Sequence, residues 1–365
     1  MNRPINSNFL TIAIPTFNRA QELDETLLNI IKSVSQSKYS DKIEILVSNN
    51  CSSDNTEEVC AKYTNLIRYI KNDENIGFKG NIFKLLEMCD SKYIWYMGDD
   101  DGIKEDSVDL VYESLDHFKS ALFFLDSISS ITGNRVFFPR QLKDEIVDFK
   151  GFCSQKYYVR TGLISNYIYN VEEAKAVVKE YGTDIMHPMW PHTALALLVL
   201  NNMANKAVYI NAGVTKLNET HNLIYTGSST ISVNIDARYD MYLMISDYLG
   251  DNAAFLKVAH FNMPTMKKLF VLSSFFDDYF AIQKQNFKVM KKMSGVLFLV
   301  YFFVYFLPNS VPFSFKRWII LMFIKLKKGS SFAEDYKQKM ESRLKIIKGK
   351  TTSKSKRTVT SYFDD

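Results

Sequence analysis

The chain has 365 residues, of which 47% are hydrophobic and 23% are charged, and its formal net charge is +5. That length allows one large or two moderate domains, and the apolar content argues against a chain that lacks a buried core. The four cysteines have no metal-ligand spacing, which predicts reduced thiols rather than a zinc site or a disulfide framework. Because residues 1–8 are polar and contain no apolar signal segment, we expect a cytoplasmic protein.

Strand and helix patterns alternate along the first part of the chain. Apolar runs predict four short strands, at residues 9–14 (ended by Pro15), 43–48, 66–70 and 93–97. Apolar residues at helical spacing follow the first three of them, at residues 20–34, from Val59 onward and from Ile82 onward. Such alternation predicts parallel strands joined by right-handed crossovers, so that the strands all end at one edge of a sheet.

Four polar loops should therefore meet at that edge, namely residues 16–19, 49–54, 75–81 and 99–101. The last of them belongs to Gly98-Asp99-Asp100-Asp101, here called the acidic turn, which places three carboxylates directly after a strand. Carboxylates so placed suit a hard divalent cation, and such a cation suits a diphosphate. In isolation the same residues would read as a solvated turn that caps a helix. Neither a dinucleotide-binding glycine motif nor a P-loop is present.

The motifs at these four loops resemble those of a known enzyme family. They read Ile-Pro-Thr-Phe-Asn-Arg at 14–19, Ser-Asn-Asn-Cys-Ser-Ser-Asp-Asn-Thr at 48–56, Asn-Ile-Gly at 75–77 and Gly-Asp-Asp-Asp at 98–101. In this order they resemble the inverting glycosyltransferases of family 2, which have the α/β GT-A fold, a mostly parallel twisted sheet flanked by helices. Residues 75–81, 95–101 and 162–166 further resemble abequosyltransferase-like enzymes of bacterial O-antigen assembly.

The resemblance implies a role for each matching residue. Those implied to bind the nucleotide sugar are Pro15, Thr16, Phe17, Arg19, Asn50, Asn75, Gly77, Lys79 and Asp99. Asp99, Asp100 and Asp101 lie at the family's motif for Mg²⁺ or Mn²⁺, and the ligand among the three stays open. Two positions depart from the family, because Gly98 replaces the usual first Asp and Asn50 replaces an Asp that contacts the base.

The middle of the chain carries the candidates for catalysis and acceptor binding. Predicted elements are strands at 121–125, 135–138, 162–169 and 208–210, a hairpin turn at 133–134, a helix at 172–181 and a helix that begins at Pro191. The family's acidic pair at the head of that helix is missing here. His192 matches its position and is a reasonable general base, with Asp184 as the rival carboxylate. The resemblance implies acceptor contacts by Ser165, Asn166 and Trp190, and His221 is a weaker candidate as a metal ligand.

The C-terminal region differs in charge from the rest of the chain. Residues 316–365 hold 14 basic and 5 acidic side chains, whereas residues 1–315 are slightly acidic. Residues 295–307 form an uncharged apolar run, too short to span the roughly 30 Å of a bilayer as a helix. Flanking cations and aromatics predict a segment that lies in the membrane surface, and a buried helix or a dimer interface is the alternative. Lipid is favoured over nucleic acid because Trp318 and its apolar neighbours share this region.

These observations and the family resemblance predict a function for the protein and a division of the chain into parts. The protein would transfer a sugar from a nucleotide-diphosphate sugar to a hydroxyl of a saccharide acceptor, expected to be polyprenyl-linked, at the inner face of the plasma membrane. The predicted parts are a nucleotide-sugar half (1–115), an acceptor and base half (116–225), a C-terminal helical region (226–348) and a disordered tail (349–365). We expect no nucleic-acid partner and allow a homo-oligomer. The alternatives are a non-catalytic sugar-nucleotide binder or scaffold and, less well matched, a nucleotidyltransferase.

Overall fold

The structure is a computed structural model that describes residues 8–130, 144–153, 162–202, 204–217 and 241–256, together with Phe315, Trp318, Ile319, Met322 and Lys325. Every strand and helix named below belongs to the first of two compact units, which comprises residues 1–219 and 237–263. Several predictions lie outside the described residues: the turn and strand at 133–138, His221, the apolar run at 295–307 and the tail at 349–365.

Four parallel strands form the first half of the sheet, as predicted. They are β1 (Leu10–Thr16), β2 (Ile43–Asn49), β3 (Arg68–Lys71) and β4 (Tyr93–Tyr96), in the order β3-β2-β1-β4. The crossovers contain α1 (Ala20–Gln36), α2 (Thr56–Lys62) and α3 (Gly77–Met88). The carboxyl ends of these four strands therefore lie at one edge of the sheet, here called the ligand edge, because open α/β sheets bind ligands there.

Some predicted boundaries were wrong. The predicted strand at 162–169 begins only at Tyr167, after a 3₁₀ turn at Ile164–Asn166. Two other changes affect the ligand edge. Strand β1 continues through Pro15, which pairs with Ser48; this is tolerated because the ladder between β1 and β4 already ends at Ala13. The segment 75–81 is not all loop, since α3 begins at Gly77. Gly77 has φ +72°, a conformation that glycine adopts readily, and its N–H donates to Asn75 Oδ1 at 3.0 Å.

The second half of the sheet is mixed. Its strands are β5 (Gly102–Ile103), β6 (Leu122–Ser129), β7 (Glu145–Val147), β8 (Tyr167–Asn170) and β9 (Ala207–Leu217). The order continues β4-β8-β6-β9-β5, and β7 also pairs with β9. Strand β8 is antiparallel to both β4 and β6, so β6 runs parallel to β4 and also ends at the ligand edge.

Helices cover both faces of this sheet. They are α4 (Ser107–Phe118), α5 (Phe149–Phe152), α6 (Val171–Tyr181) and α7 (Pro191–Asn201). An aliphatic core joins α1 and α4 to one face through residues such as Leu23, Ile30 and Val111. Helix α7 is buried on all sides from Pro191 to Leu200. Among the described residues, no helix combines the length and the apolar character needed to cross a bilayer.

Candidate active site

Hydrogen bonds tie the loops at the ligand edge to one another. We call residues 17–19, 50–55 and 72–76 the nucleotide loops, after the role that the sequence predicts for them. The Asn18 N–H donates to Ser52 Oγ at 2.9 Å, and the Asn18 side-chain oxygen accepts from the Ser53 N–H at 2.8 Å. Asn18 has φ +53°, a left-handed conformation that asparagine tolerates better than most residues. The loops after β1 and β2 are therefore held as one surface.

An amide network joins the second and third nucleotide loops. Asn50, which is 3% exposed, donates through Nδ2 to Asn75 Oδ1 at 2.6 Å. Its Oδ1 accepts from Asn72 Nδ2 at 2.9 Å and from the Ile76 N–H at 3.1 Å. The Asn50 side chain therefore holds the second and third nucleotide loops together at the ligand edge. The sequence departure at Asn50 is accommodated by neighbouring amides rather than by a charged partner.

Arg19 connects the first nucleotide loop to the acidic turn. Its Nη1 lies 2.8 Å from Asp99 Oδ1 and 2.9 Å from Asp100 Oδ2. Asp99 also accepts from the Thr16 hydroxyl, through Oδ2 at 2.9 Å. Burial raises the pKa of Asp99 to about 6, and the Asp100 carboxylate acts in the same direction, while the Arg19 guanidinium opposes both. Asp99 is thus enclosed, whereas Asp100 remains half-buried.

The third carboxylate of the acidic turn is held from the other side. Asp101 Oδ2 accepts from Ser165 Oγ at 2.6 Å, and the same hydroxyl oxygen accepts from the Gly98 N–H at 2.8 Å. The Thr26 hydroxyl on α1 lies 3.0 Å from the Asp99 carbonyl and 2.9 Å from the Asp101 carbonyl. The backbone and the carboxylates of the acidic turn are consequently fixed by strand β1, helix α1 and the segment before β8.

Two buried polar residues, Thr26 and Asp126, were not among the residues predicted for the site. Thr26 was visible in the pattern, since it shares the buried face of α1 with Leu23 and Ile30. Asp126 lies in β6 with no exposed surface, and its Oδ1 accepts from the Ser127 N–H at 2.9 Å. In the sequence, Asp126 could have been noticed as a carboxylate within an apolar run. Its strand ends at the ligand edge, beside a register shift between β6 and β9.

The predicted catalytic residues lie on residues 183–192, here called the acceptor wall after the role that the sequence predicts for this segment. Asp184 is exposed, and the preceding Thr183 carbonyl accepts from Lys79 Nζ at 3.2 Å. His192 is 3% exposed in the first turn of α7, and its ring centroid lies 5.4 Å from that of Tyr167 and 6.4 Å from that of Phe78. The two base candidates therefore differ sharply in access.

The residues predicted to bind the acceptor are buried. Trp190 is 7% exposed and its ring lies 5.9 Å from that of His192. Asn166 has no exposed surface, and its Oδ1 accepts from Ser127 Oγ at 2.9 Å and Thr215 Oγ1 at 2.8 Å. Ser165, at 1% exposure, contacts the acidic turn. Of the nucleotide-side predictions, Pro15 is buried, Phe17 and Lys79 are half-buried and Gly77 is exposed.

The acidic turn has a donor set that fits a divalent cation bound together with a substrate. A Cβ atom added at Gly98 would lie 3.1 Å from Asp101 Oδ2 and 3.2 Å from Asp100 Oδ1, so two carboxylates converge over this glycine. Within the described part of the chain, no three acidic, histidine or cysteine side chains are close enough to hold a metal by themselves. Mg²⁺ typically uses one or two carboxylates and completes its coordination with phosphate oxygens and water.

Comparison with known proteins agrees with this geometry. Residues 11–169 match the family model described as Glycosyl transferase family 2. Residues 11–169, fewer than half of the chain, are therefore similar to a family 2 glycosyltransferase domain. The predicted family resemblance is thereby confirmed, and the domain contains the nucleotide loops, the acidic turn and Ser165, whereas the acceptor wall lies beyond the matched range.

Two curated relatives and two solved structures extend the comparison. Over 111 residues, or 29% of the chain, the sequence is 35% identical to abequosyltransferase RfbV of Salmonella typhimurium and 31% identical to MG025, an uncharacterized glycosyltransferase of Mycoplasma genitalium. The chain spans about a third of the length of these relatives, 32% and 36%.

The solved structures are of S. aureus TarS residues 1–349, and both are 13% identical to this chain. One has a TM-score of 0.52 and covers 88% of this chain and 92% of TarS 1–349. The other, a complex with UDP-GlcNAc, has a TM-score of 0.53 and covers 96% and 93%. At this identity the likeness shows the fold alone, and it confirms the predicted GT-A fold of the family 2 domain.

Proposed function

We propose that the protein is an inverting, metal-dependent glycosyltransferase that uses a nucleotide-diphosphate sugar. The observation that carries this proposal is the contact between Arg19 and the acidic turn, which joins the nucleotide loops to a pair of convergent carboxylates in a family 2 domain. A surface that presents amides, a guanidinium and carboxylates side by side can hold a base, a ribose and a diphosphate together.

The nucleotide loops would bind the nucleoside part of the donor. Asn50 and the exposed Asn75 bring amide groups to the ligand edge, and amides can pair with a nucleobase as hydrogen-bond donor and acceptor. Asp99, held by Thr16 and Arg19, would lie next to the ribose. Arg19 itself balances the charge of Asp99 and Asp100 before the substrate arrives.

Asp100 and Asp101 would hold Mg²⁺ or Mn²⁺, because their oxygens converge above Gly98. When bound, the cation neutralises charge on the leaving diphosphate. The protein's own part is to keep these carboxylates in place through Arg19 on one side and Ser165 on the other. Gly98 contributes by leaving space where a side chain would meet both carboxylates.

Asp184 is the general base that we favour on grounds of access. A base must reach the acceptor hydroxyl within hydrogen-bond distance, and Asp184 is exposed, whereas His192 is enclosed by aromatic rings. The base takes the hydroxyl proton as the acceptor oxygen attacks the anomeric carbon from the face opposite the diphosphate. The carbon–oxygen bond to the diphosphate breaks, so the configuration inverts, with positive charge on the sugar in the transition state. His192 would then shape the acceptor wall.

The acceptor is proposed to be a lipid-linked saccharide of a cell-surface polysaccharide such as O-antigen. Support comes from the abequosyltransferase relative and from the C-terminal region, where five described positions have helical backbone. Phe315, Trp318 and Met322 are 48%, 54% and 41% exposed, and their spacing places them on one helix face with Lys325. An exposed apolar stripe with flanking cations suits an anionic membrane surface. Flotation of the full chain with anionic liposomes tests this part; a protein that stays unbound contradicts it.

The test of the main proposal is donor hydrolysis in the absence of an acceptor. We expect slow, Mn²⁺- or Mg²⁺-dependent release of one nucleoside diphosphate from a panel of UDP-, GDP-, CDP- and dTDP-sugars. Release that requires no divalent cation would contradict the metal dependence. Tight, metal-dependent binding of a donor without any release, also with saccharide acceptors present, would favour a non-catalytic sugar-nucleotide binder.

A further inference from the structure

Ser165 contacts the acidic turn in two ways at once. It lies in the 3₁₀ turn Ile164–Asn166 before β8 and is 1% exposed. Its Oγ accepts a hydrogen bond from the Gly98 N–H at 2.8 Å and lies 2.6 Å from Asp101 Oδ2. A serine hydroxyl has one proton, and since the Gly98 N–H is already a donor, that proton points to the Asp101 carboxylate.

The position of Ser165 is itself fixed by the sheet. The indole Nε1 of Trp95, a residue with no exposed surface in β4, donates to the Ser165 carbonyl at 2.9 Å. Trp95 pairs with Ile168 in the antiparallel ladder between β4 and β8, which sets the level of the turn relative to the end of β4. The hydroxyl therefore reaches the acidic turn from a rigid element rather than from a flexible loop.

We propose that Ser165 is a positioning residue for the cation-binding carboxylate of Asp101, and that it does not bind the acceptor. This inference rests on the proposed metal-dependent function. The hydroxyl fixes one oxygen of Asp101 and, through the Gly98 N–H, the start of the same turn. Groups that orient metal ligands from behind typically contribute about 10–100-fold to metal affinity or activity. Removing the hydroxyl leaves both carboxylates present but removes this hydrogen bond to Asp101.

The chain offers a matched control in Ser127. This serine is also 1% exposed, and its hydroxyl lies 2.9 Å from Asn166 Oδ1 and 2.7 Å from Thr215 Oγ1. These contacts are with the turn before β8 and with β9 rather than with the acidic turn. Ser127→Ala therefore removes a buried hydroxyl of the same kind, next to the same segment, without touching Asp101.

The experiment measures the Mn²⁺ concentration that gives half of the thermal stabilisation by a nucleoside diphosphate. The nucleotide is whichever of UDP, GDP, CDP and dTDP stabilises the wild-type protein most. Ser165→Ala should raise this Mn²⁺ concentration about 10-fold or more, with stabilisation by the nucleotide alone unchanged. Ser165→Cys, which keeps the size but is a weak donor, should shift it in the same direction and covers the case in which the alanine variant does not fold. Ser127→Ala should leave it within about 2-fold.

Two results would overturn the positioning role. One is a Ser165→Ala or Ser165→Cys variant that needs no more Mn²⁺ than the wild type; the other is an equal shift in Ser127→Ala. Failure of the proposed function gives a different pattern, because the wild-type protein itself would then show no Mn²⁺-dependent stabilisation by any of the four nucleotides.

Discussion

The two sides of the candidate site are built in different ways. On the nucleotide side, polar side chains and backbone groups of the three nucleotide loops and the acidic turn bond to one another, as in the contacts of Asn50 with Asn75 and of Arg19 with Asp99. On the acceptor wall, Trp190 and His192 are buried among aromatic rings at the start of α7. Hydrogen bonds thus hold the nucleotide side together, and the same polar groups can also bond to a ligand. The acceptor wall, by contrast, is held by side-chain packing. We therefore expect substitutions on the nucleotide side chiefly to lower ligand binding and turnover, and substitutions of buried residues on the acceptor wall chiefly to lower stability.

The largest effect on turnover is expected from a substitution in the acidic turn. Asp101→Asn should lower turnover by about 1000-fold, because a cation that supplies several kcal/mol of charge stabilisation loses a charged ligand. The fold should persist, since an amide can still accept from Ser165. Steady-state kinetics and a thermal unfolding curve are the measurements. Glu105→Gln, at an exposed acid close by in sequence, is the control and should behave as the wild type. Normal turnover in the Asp101 variant would show that the acidic turn is not part of the active site.

The acceptor wall gives the next largest effect. Asp184→Asn should lower turnover by about 100-fold, the usual contribution of a general base, with donor affinity nearly unchanged. His192→Gln should lower turnover less than about 10-fold and should chiefly lower the thermal midpoint, because its ring is enclosed by packing. The ratio of the two effects on kcat is the measurement. If the histidine variant loses more turnover at unchanged stability, His192 is the base and access was the wrong criterion.

Gly98 offers a smaller effect in an unexpected direction. Gly98→Asp restores the residue that the family usually has, yet its Cβ would lie 3.1 Å from Asp101 Oδ2 and 3.2 Å from Asp100 Oδ1. A third carboxylate would add repulsion between like charges at that point. We expect turnover to fall by about 10-fold and the Mn²⁺ requirement to rise. Gly98→Ala separates the steric part from the charge. A gain in turnover on Gly98→Asp would show that the turn can rearrange around a side chain.

The smallest effect concerns the amide network. Asn50→Asp also restores a family residue, but it removes the donor to Asn75 Oδ1. Turning the Asn75 amide to compensate would break its bond with the Gly77 N–H. One hydrogen bond is lost in either case, which should lower the free energy of unfolding by about 1 kcal/mol. Chemical denaturation measures this, with Asn65→Asp, at an exposed position in the turn after α2, as the control that should leave the free energy of unfolding nearly unchanged. An Asn50→Asp protein of equal or greater stability would contradict the assigned bonds.

The sequence predicted the nucleotide side better than the acceptor wall, and the reason is physical. Local hydrophobic periodicity predicts the order of strands, loops and helices up to β4. Because the crossovers join parallel strands, the loops must then lie at the ligand edge. The contact between Asp101 and Ser165 spans 64 positions and depends on the register of β4 with β8, which no local pattern encodes. Thr26 was readable from helical spacing but requires the sheet to show what it contacts.

Burial explains the remaining differences between prediction and structure. A helix such as α7, apolar on every side, has no periodicity to show which residues face the ligand edge. The sequence therefore could not tell an accessible His192 from an enclosed one. The start of α3 at Gly77 depended on a positive φ and on the Asn75 side chain, both of which a glycine-bearing segment allows but does not require.

The most direct test of the account is ligand-dependent thermal stability of two proteins. The wild-type protein should gain about 3–6 °C when Mn²⁺ and one of UDP, GDP, CDP or dTDP are present together near 100 times the dissociation constant, and much less with either alone. The double variant Asp100→Asn and Asp101→Asn should lose that joint gain and keep its ligand-free midpoint within a few degrees. An equal joint gain in the double variant, or none in the wild type, would contradict the claim that the acidic turn holds a cation against a nucleoside diphosphate.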